Sequence, residues 1–189
     1  FFARVPFVVY TAHGFYFHDE MPKTKRRIHV FLEKIAGKVT DLMFTQSKED
    51  ANTAKEKKIM PEECIYAIGN GVDVKMFDPA NFRDRTMFRK SLNIPEDAYV
   101  IGMIGRQVEE KGIVEFFSAA KIIAEQSSDV YFLLVGDRLE SDHANAVDIA
   151  KEDATSSIGN RLILTGMRSD IPELLSVMDL FTLPSWREG

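Results

Sequence analysis

The sequence predicts an α/β fold in which short strands of parallel sheet alternate with helices. Short apolar runs recur along the 189 residues, and most are separated by stretches whose apolar residues repeat every three or four positions. The runs FVVY, VIGMIG and VYFLLVG are continuously apolar, as strands buried on both faces of a parallel sheet are. We therefore expect doubly wound parallel sheets covered by helices.

Strands and helices are predicted in alternation along most of the chain. The strands are predicted over Phe7–Ala12, Asp41–Thr45, Ile65–Gly69, Tyr99–Gly105, Val130–Val135, Arg161–Thr165 and Asp179–Leu183. The helices are predicted over Lys23–Lys38, Ser47–Lys58, Arg85–Leu92, a segment that begins at Gly112, Asp142–Ser156 and Asp170–Met178. Ser47 followed by Asp50 is a variant of the N-terminal capping box, and Asp170 is expected to cap the last helix.

The first predicted helix combines basic residues with an apolar stripe. Its first turn carries Lys23, Lys25, Arg26 and Arg27, and the stripe consists of Ile28, Phe31, Leu32, Ile35 and Val39. Such a stripe is what a core-facing helix needs, and we expect it to be buried. The alternative is an interfacial helix that docks on anionic lipid.

Composition and charge exclude several functional classes. The net charge of -5 argues against a nucleic-acid partner, which requires a basic surface. The single cysteine, Cys64, cannot close an internal disulfide, so a reducing compartment is expected. No apolar stretch approaches the roughly 20 residues that span a bilayer, and the apolar runs near both ends indicate a piece of a longer protein. A domain junction is expected within residues 73–97, where no strand is readable.

The strongest local signal for chemistry is the segment GRQVEEKG, Gly105 to Gly112, between a strand and a helix. The first amides of a helix are unpaired and its dipole is positive there, so an anion binds readily at such a junction. Arg106 can bind a phosphate through two hydrogen bonds, and Lys111 adds a point charge. The segment is neither a Walker A motif nor a GxGxxG fingerprint. A diphosphate is the expected ligand, and a solvated turn is the alternative.

Other candidate residues follow predicted strands, where ligands bind in open α/β sheets. His13 follows the first strand and could bond a hydroxyl, although a lone histidine is more often structural. Glu188 follows the last strand and could accept hydrogen bonds from a sugar, or be an ordinary surface residue. Met167 and Arg168 follow the sixth strand, where Arg168 could stack on a base. The sequence has no Asp-x-Asp motif and no clustered Cys and His, so nothing in it requires a metal.

Six segments, in this order and spacing, resemble glycosyltransferase family 4, a group of retaining, nucleotide-sugar-dependent enzymes with the GT-B fold. They are YTAHGF (Tyr10 to Phe15), TDLMFTQSKED (Thr40 to Asp50), IGNGVDVKMFDP (Ile68 to Pro79), IGRQVEEKG (Ile104 to Gly112), FLLVGD (Phe132 to Asp137) and LTGMRSDIPELLSVMDLFTLPSWREG (Leu164 to Gly189). The resemblance implies two Rossmann-like domains, both incomplete here. Residues 1–78 would end an acceptor-side domain, 79–97 would be the linker, and 98–189 would begin the nucleotide-sugar-binding domain.

The resemblance also implies roles for single residues. Arg106, Lys111 and Gly112 would bind the donor diphosphate. His13 would be the active-site histidine that contacts the transferred sugar. Glu188 would be the first glutamate of the E-x7-E motif, near the donor sugar.

The loop after the sixth strand would complete the nucleotide site. Met167 and Arg168 lie where relatives contact the base. No metal or cofactor is expected, in agreement with the metal independence that is usual in this fold.

The implied activity is transfer of a sugar, with retention, from a UDP-sugar or GDP-sugar to a glycan, lipid-linked or polysaccharide-precursor acceptor. A cytoplasmic location is expected, with peripheral contact at the inner face of the membrane. The chain alone, without the elements missing at its ends, is expected to be inactive. Two alternatives remain: a nucleotide-sugar epimerase of GT-B architecture, and a non-catalytic module that binds sugar nucleotides.

Overall fold

A computed structural model describes residues 5–18, 21–82, 84–139, 142 and 145–186. These residues form two compact units, one up to Val72 and one from Asp73 onward. Each unit contains a parallel sheet with helices in the crossovers, which confirms the predicted α/β class.

The first unit is built on three parallel strands in the order β1-β2-β3. Its elements are β1 (Val9–Ala12), α1 (Lys23–Gly37), β2 (Leu42–Thr45), α2 (Lys48–Glu56), a 3-10 turn (Glu62–Cys64) and β3 (Ile65–Ala67). The predicted cap of α2 is confirmed, because the Ser47 hydroxyl oxygen accepts a hydrogen bond from the Asp50 amide at 2.9 Å. Met43 and Ile65 lie in the core of this unit.

Helix α1 does not bury its apolar stripe, so the expectation of a core-facing stripe is wrong for the described residues. Ile28, Phe31, Leu32, Ile35 and Val39 are 47% to 62% exposed. The helix packs instead through Val30, which contacts the core, and through Gly37, where an added Cβ would lie 2.3 Å from the Ile59 carbonyl oxygen. The stripe is exposed because no described layer covers it.

A polar pair joins α1 to the edge strand β1. Tyr10 on β1 shares a hydrogen bond with Glu33 on α1. Burial raises the pKa of the Tyr10 hydroxyl, and the Glu33 carboxylate raises it further. Burial also raises the pKa of Glu33, although its hydrogen bond with Tyr10 acts in the opposite direction.

The second unit is a four-stranded parallel sheet in the order β6-β5-β4-β7. Its main elements are α3 (Thr86–Ser91), β4 (Tyr99–Ile104), α4 (Ile113–Gln126), β5 (Val130–Val135), α5 (Asn145–Ile158), β6 (Leu162–Leu164), α6 (Ile171–Val177) and β7 (Leu180–Phe181). Short 3-10 turns cover Pro79–Phe82, Glu109–Lys111 and Gly159–Arg161. All seven predicted strands are present, and most are shorter than expected.

Alternating residues of the central strands supply two cores in the second unit. Ile101 and Met103 face α4 and α5 on one side of the sheet. Val100, with Leu133 of β5, faces α6 and the segment around Ile94 on the other side. The sheet is therefore covered on both faces, as a doubly wound fold requires.

The segment expected to be a linker, residues 79–97, packs within the second unit, and the chain divides after Val72 rather than after residue 78. The physical reason is Arg89 on α3, which is 1% exposed. Its guanidinium donates hydrogen bonds to the carbonyl oxygens of Glu96 and Ala98 at 2.8 and 2.7 Å. It also pairs with the carboxylate of Asp179 at 2.8 Å.

Asp179 connects this segment to the amino ends of β4 and β7. Its carboxylate accepts a hydrogen bond from the Val100 amide at 2.8 Å and pairs with Arg85 at 2.9 Å. Burial acts to raise the pKa of Asp179, but the Val100 amide and the two guanidinium groups outweigh it, so the pKa lies below its usual range.

We expect Asp179→Asn to lower the free energy of unfolding by about 3 kcal/mol near neutral pH, because it leaves the buried Arg89 charge without its anion. A carboxylate with a lowered folded-state pKa stabilises the fold above its unfolded-state pKa, and this contribution is lost as the pH falls through the folded-state value. Chemical denaturation should therefore show the two proteins converging below about pH 4.

The control for this prediction is Asp153→Asn, which breaks only the surface pair between Asp153 and Lys121. Its effect should stay within about 1 kcal/mol. Equal losses for the two variants would contradict the structural role of Asp179.

Candidate functional site

The strand order of the second sheet reverses direction at β4. The chain passes from β4 to β5 and β6 on one side, and then returns to place β7 on the other side of β4. Ligands in open α/β sheets bind beyond the carboxyl ends of the strands at such a switch point. The loops that follow β4 and β7 therefore mark the candidate site.

The loop after β4 connects this strand to the N-terminus of α4. A 3-10 turn over Glu109–Lys111 leads to Gly112, which has a φ of 73° and precedes the first helical residue. No side chain caps this helix, so its first-turn amides and its dipole favour an anion. Arg106, Lys111 and Gly112, the residues predicted to bind a diphosphate, all lie between β4 and the first residue of α4.

Arg106 lies at the exposed side of the loop, with 45% of its side chain accessible. Its guanidinium donates to the carboxylates of Glu110 at 3.1 Å and Asp142 at 3.2 Å. The pair with Glu110 is exposed on both sides and is therefore weak, so a phosphate could replace that carboxylate without a large loss of stability. Arg106 is thus an accessible cation in the loop after β4, and the carboxylates of Glu110 and Asp142 hold its side chain in place.

The side chain of Gln107 holds the loop after β4 in place, and the sequence did not predict this role. Its side chain is buried and donates to the Gly136 carbonyl oxygen at 2.8 Å, while its amide oxygen accepts from Lys151 at 3.2 Å. Its backbone amide also donates to the carbonyl oxygen of Asp137 at 3.2 Å. An uncharged amide directly after a buried strand and beside charged residues was the signal that could have revealed this role.

Glycines allow the loops after β4 and β5 to approach each other closely. Gly136 has a φ of 119°, and a Cβ there would lie 2.1 Å from the carbonyl oxygen of Gly105. The Gly136 amide in turn donates to the Gly166 carbonyl oxygen, after β6, at 2.8 Å. The loops after β4, β5 and β6 therefore contact one another through their backbones at the carboxyl edge of the sheet.

The segment after β7 rests on the start of α4. A Cβ at Gly112 would lie 2.2 Å from the carbonyl oxygen of Pro184. The Trp186 amide donates to the Glu110 carbonyl oxygen at 3.0 Å, and its indole N–H donates to the Glu115 carboxylate at 2.8 Å. Glu188, predicted near the donor sugar, lies outside the described residues.

Met167 and Arg168 follow β6 at the same edge of the sheet. Met167 is exposed, and Arg168 donates two hydrogen bonds to Asp170. These bonds hold the pKa of Asp170 below its usual range. The expectation that Asp170 caps α6 is wrong, because its side chain makes no capping hydrogen bond. The carboxylate accepts hydrogen bonds from Arg168 instead.

In the first unit, His13 directly follows β1 and is exposed. Its Nδ1 bonds the side-chain nitrogen of Gln46, which follows the neighbouring strand β2. A neutral imidazole that accepts at Nδ1 carries its proton on Nε2, so His13 can donate a hydrogen bond from Nε2. Gly14, with a φ of 93°, turns the chain directly afterwards.

The described residues contain no group of three or more His, Cys, Asp or Glu side chains that could hold a metal ion. None of the described helices is long and apolar enough to cross a membrane.

Comparisons with known proteins give one family and a consistent set of relatives. The model of the family described as glycosyl transferases group 1 matches residues 84–189. The UDP-Gal:α-D-GlcNAc-diphosphoundecaprenol α-1,3-galactosyltransferase of Escherichia coli is 32% identical over 99% of this chain and 48% of its own length. An N,N'-diacetylbacillosaminyl-diphospho-undecaprenol α-1,3-N-acetylgalactosaminyltransferase of Campylobacter jejuni is 33% identical over 71% of this chain and 32% of its own length.

Solved structures agree with these relatives. HepE of Anabaena, crystallised with UDP and glucose, superposes with a TM-score of 0.75 and is 26% identical, covering 97% of this chain and 47% of HepE. The chain thus spans about half the length of the E. coli relative and of HepE.

Gly112→Ala should lower the free energy of unfolding by more than the strain of a left-handed alanine alone. Both Gly112 and Gly159 have positive φ values, of 73° and 64°, but a Cβ at Gly159 meets open space. Gly159→Ala should therefore cost about 1–2 kcal/mol of folding free energy through its left-handed backbone. Gly112→Ala adds the clash with Pro184 and should cost clearly more.

Chemical denaturation of the two variants measures the difference. The fluorescence of Trp186, the single tryptophan, should also change in Gly112→Ala and not in Gly159→Ala. Equal unfolding free energies would show that the contact with Pro184 is unimportant.

Proposed function

Because the chain belongs to the group 1 glycosyl transferases, we propose that its protein transfers a sugar from a nucleoside-diphosphate sugar to an acceptor with retention of configuration. The GT-B fold of its structural neighbours agrees with this assignment. The ordered motifs further support membership of family 4, and the UDP bound to HepE supports UDP as the donor nucleotide.

The observation that carries the proposal is the pair of cations beside the N-terminus of α4 at the switch point. Arg106 and Lys111 lie in the loop that ends at Gly112, before the uncapped first turn of the helix. When the bond between the sugar C1 and the diphosphate oxygen breaks, negative charge grows on the departing nucleoside diphosphate. Preorganised cations and helix amides stabilise that charge without reorganisation.

Other residues complete the proposed mechanism in each unit. In the first, His13, whose ring contacts the Gln46 side chain, donates a hydrogen bond to a hydroxyl of the transferred sugar. In the second, the loop of Met167 and Arg168 contacts the base, and Glu188 accepts hydrogen bonds from the donor sugar. The oxygen of the acceptor hydroxyl then bonds C1 on the face that the diphosphate left, and the hydroxyl proton passes to the departing diphosphate.

We propose a lipid-linked acceptor at the inner face of the membrane. The E. coli and C. jejuni relatives are named for acceptors on diphosphoundecaprenol. The exposed stripe of α1, with Ile28 and Leu32 beside basic residues, supports a peripheral contact with lipid.

Lys111→Ala should lower kcat of the full-length enzyme by at least about tenfold, because a preorganised charge on the leaving group is lost. Lys121→Ala, which removes the same charge farther along α4, is the control and should keep kcat within about twofold. Steady-state transfer assays with the two variants measure this. Unchanged kcat and KM in Lys111→Ala would remove the central role of this cation.

Transfer should not depend on a divalent metal. The cations of the loop and the dipole of α4 supply the charge that a metal would otherwise supply to a leaving diphosphate. Assays with excess EDTA should give the same rate as assays with added Mg²⁺ or Mn²⁺. A loss of activity on chelation that only one metal restores would overturn this expectation.

A further inference from the structure

Gln107 links the loop after β4 to a cation on α5 that the proposed mechanism does not use. Its amide oxygen accepts a hydrogen bond from the Lys151 ammonium at 3.2 Å, and its amide nitrogen donates to the Gly136 carbonyl oxygen at 2.8 Å. Gln107 is 4% exposed, and Lys151 is half-buried. A half-buried ammonium group is therefore connected, through one buried amide, to the loop assigned to the donor diphosphate.

The positive charge of Lys151 is not cancelled by its contact, because an amide is neutral. None of the ion pairs between described residues includes Lys151. Asp148, three residues earlier on α5, pairs instead with Arg138 at 2.6 Å. Lys121 on α4 differs in this respect, since its ammonium pairs directly with the Asp153 carboxylate.

The diphosphate loop has no excess of positive charge of its own. Residues 105–112 contain two cations, Arg106 and Lys111, and two carboxylates, Glu109 and Glu110. Arg106 also contacts the carboxylate of Asp142 at 3.2 Å. A nucleoside diphosphate carries more than one negative charge near neutral pH, so a further cation nearby would favour its binding.

Lys151 is close enough to act as that cation. The Gln107 side chain keeps the ammonium within about 8 Å of the loop backbone, which is about the Debye length at physiological salt. Partly buried charges are screened less than exposed ones, so the attraction to a ligand at the loop persists over this range.

A glutamine at position 107 suits this arrangement. A carboxylate there would cancel the charge of Lys151, and an apolar side chain would leave the ammonium and the Gly136 carbonyl oxygen without these hydrogen bonds. The glutamine amide accepts from one and donates to the other while it remains neutral.

We propose that Lys151 is an additional cation of the donor-diphosphate site, which attracts the diphosphate through its uncancelled charge and not by contact. This inference rests on the proposed function, which assigns the loop of Arg106 and Lys111 to the diphosphate. Lys151 therefore strengthens the binding of a charged nucleotide and has little effect on the binding of a neutral nucleoside.

Calorimetric titration of the full-length enzyme tests this role without requiring transfer. Lys151→Met should bind UDP at least about fivefold more weakly than the wild type, because a partly screened attraction is lost. The same variant should bind uridine, which lacks the phosphates, within about twofold of the wild type, because no charge on the ligand is involved. Lys151→Arg keeps the charge and should bind both ligands within about twofold of the wild type.

Lys121→Met is the matched control, because it removes a cation whose charge Asp153 already cancels. Its affinity for UDP should stay within about twofold of the wild type. Gln107→Glu tests the same charge by another route: its carboxylate pairs with Lys151, so UDP binding should weaken at least about fivefold. Raising the salt concentration should reduce the difference in UDP affinity between Lys151→Met and the wild type.

Three results would overturn the inference. The first is an unchanged UDP affinity in Lys151→Met or in Gln107→Glu. The second is an equal loss of UDP and uridine affinity in Lys151→Met, which would show that Lys151 only supports the structure of the loop. The third is a loss of UDP affinity in Lys151→Arg as large as the loss in Lys151→Met.

Failure of the proposed function would give a different result. If the wild type binds GDP and not UDP, the titrations use GDP and guanosine with the same expectations. A wild type that binds neither nucleotide would overturn the proposed function together with this inference. A wild type that shows the expected charge dependence of nucleotide binding but transfers no sugar to any acceptor would overturn the transferase activity and leave the role of Lys151 intact.

Discussion

The close approach of backbone segments at the carboxyl edge of the second sheet is the constraint on which the candidate site depends. Gly136 brings its Cα against the carbonyl oxygen of Gly105, and Gly112 does the same against Pro184. A side chain at either glycine would force the loops apart, since both contacts are with backbone that cannot rotate away. Both glycines are therefore needed for the loops after β4, β5 and β7 to keep these positions.

The two edges of the second sheet differ in how their arginines are held. At the amino edge, Arg89 is buried and its hydrogen bonds with three carbonyl oxygens and one carboxylate fix α3 against the strands. At the carboxyl edge, Arg106 is accessible, and its guanidinium pairs with the carboxylates of Glu110 and Asp142. The two arginines therefore differ in the free energy that a change of partner costs. Removing the carboxylate from Arg89 would leave a buried charge unpaired. Arg106 can exchange a carboxylate for a phosphate at a lower cost, because it is accessible to solvent.

The sequence predicted the parts of the fold that local patterns determine. The short apolar runs located all seven strands, and the Ser47 and Asp50 pair located the start of α2, because burial and capping both leave a signal within a few residues. The loop of Arg106 and Lys111 was also predictable from its place between a strand and a helix.

Features that depend on distant partners were not predictable in the same way. The stripe of α1 has the spacing of a core-facing helix, yet whether it is buried depends on what lies above it. Asp170 has the position of a cap, but Arg168 competes for its carboxylate. The role of Gln107 needs Gly136 and Lys151, which are 29 and 44 residues away in the chain. Periodicity and capping preferences contain no information about such contacts.

Positive and negative charges are unevenly distributed along this acidic chain. Residues 1–40 contain seven Lys and Arg against three Asp and Glu, whereas the remaining residues contain 17 against 26. At physiological salt, charges are screened beyond about 8 Å, so a phosphate responds to the side chains within contact distance and not to the net charge of -5. Local clusters such as the one on α1 can therefore attract an anion, while the acidic remainder disfavours long polyanions such as nucleic acids, which contact a wide surface.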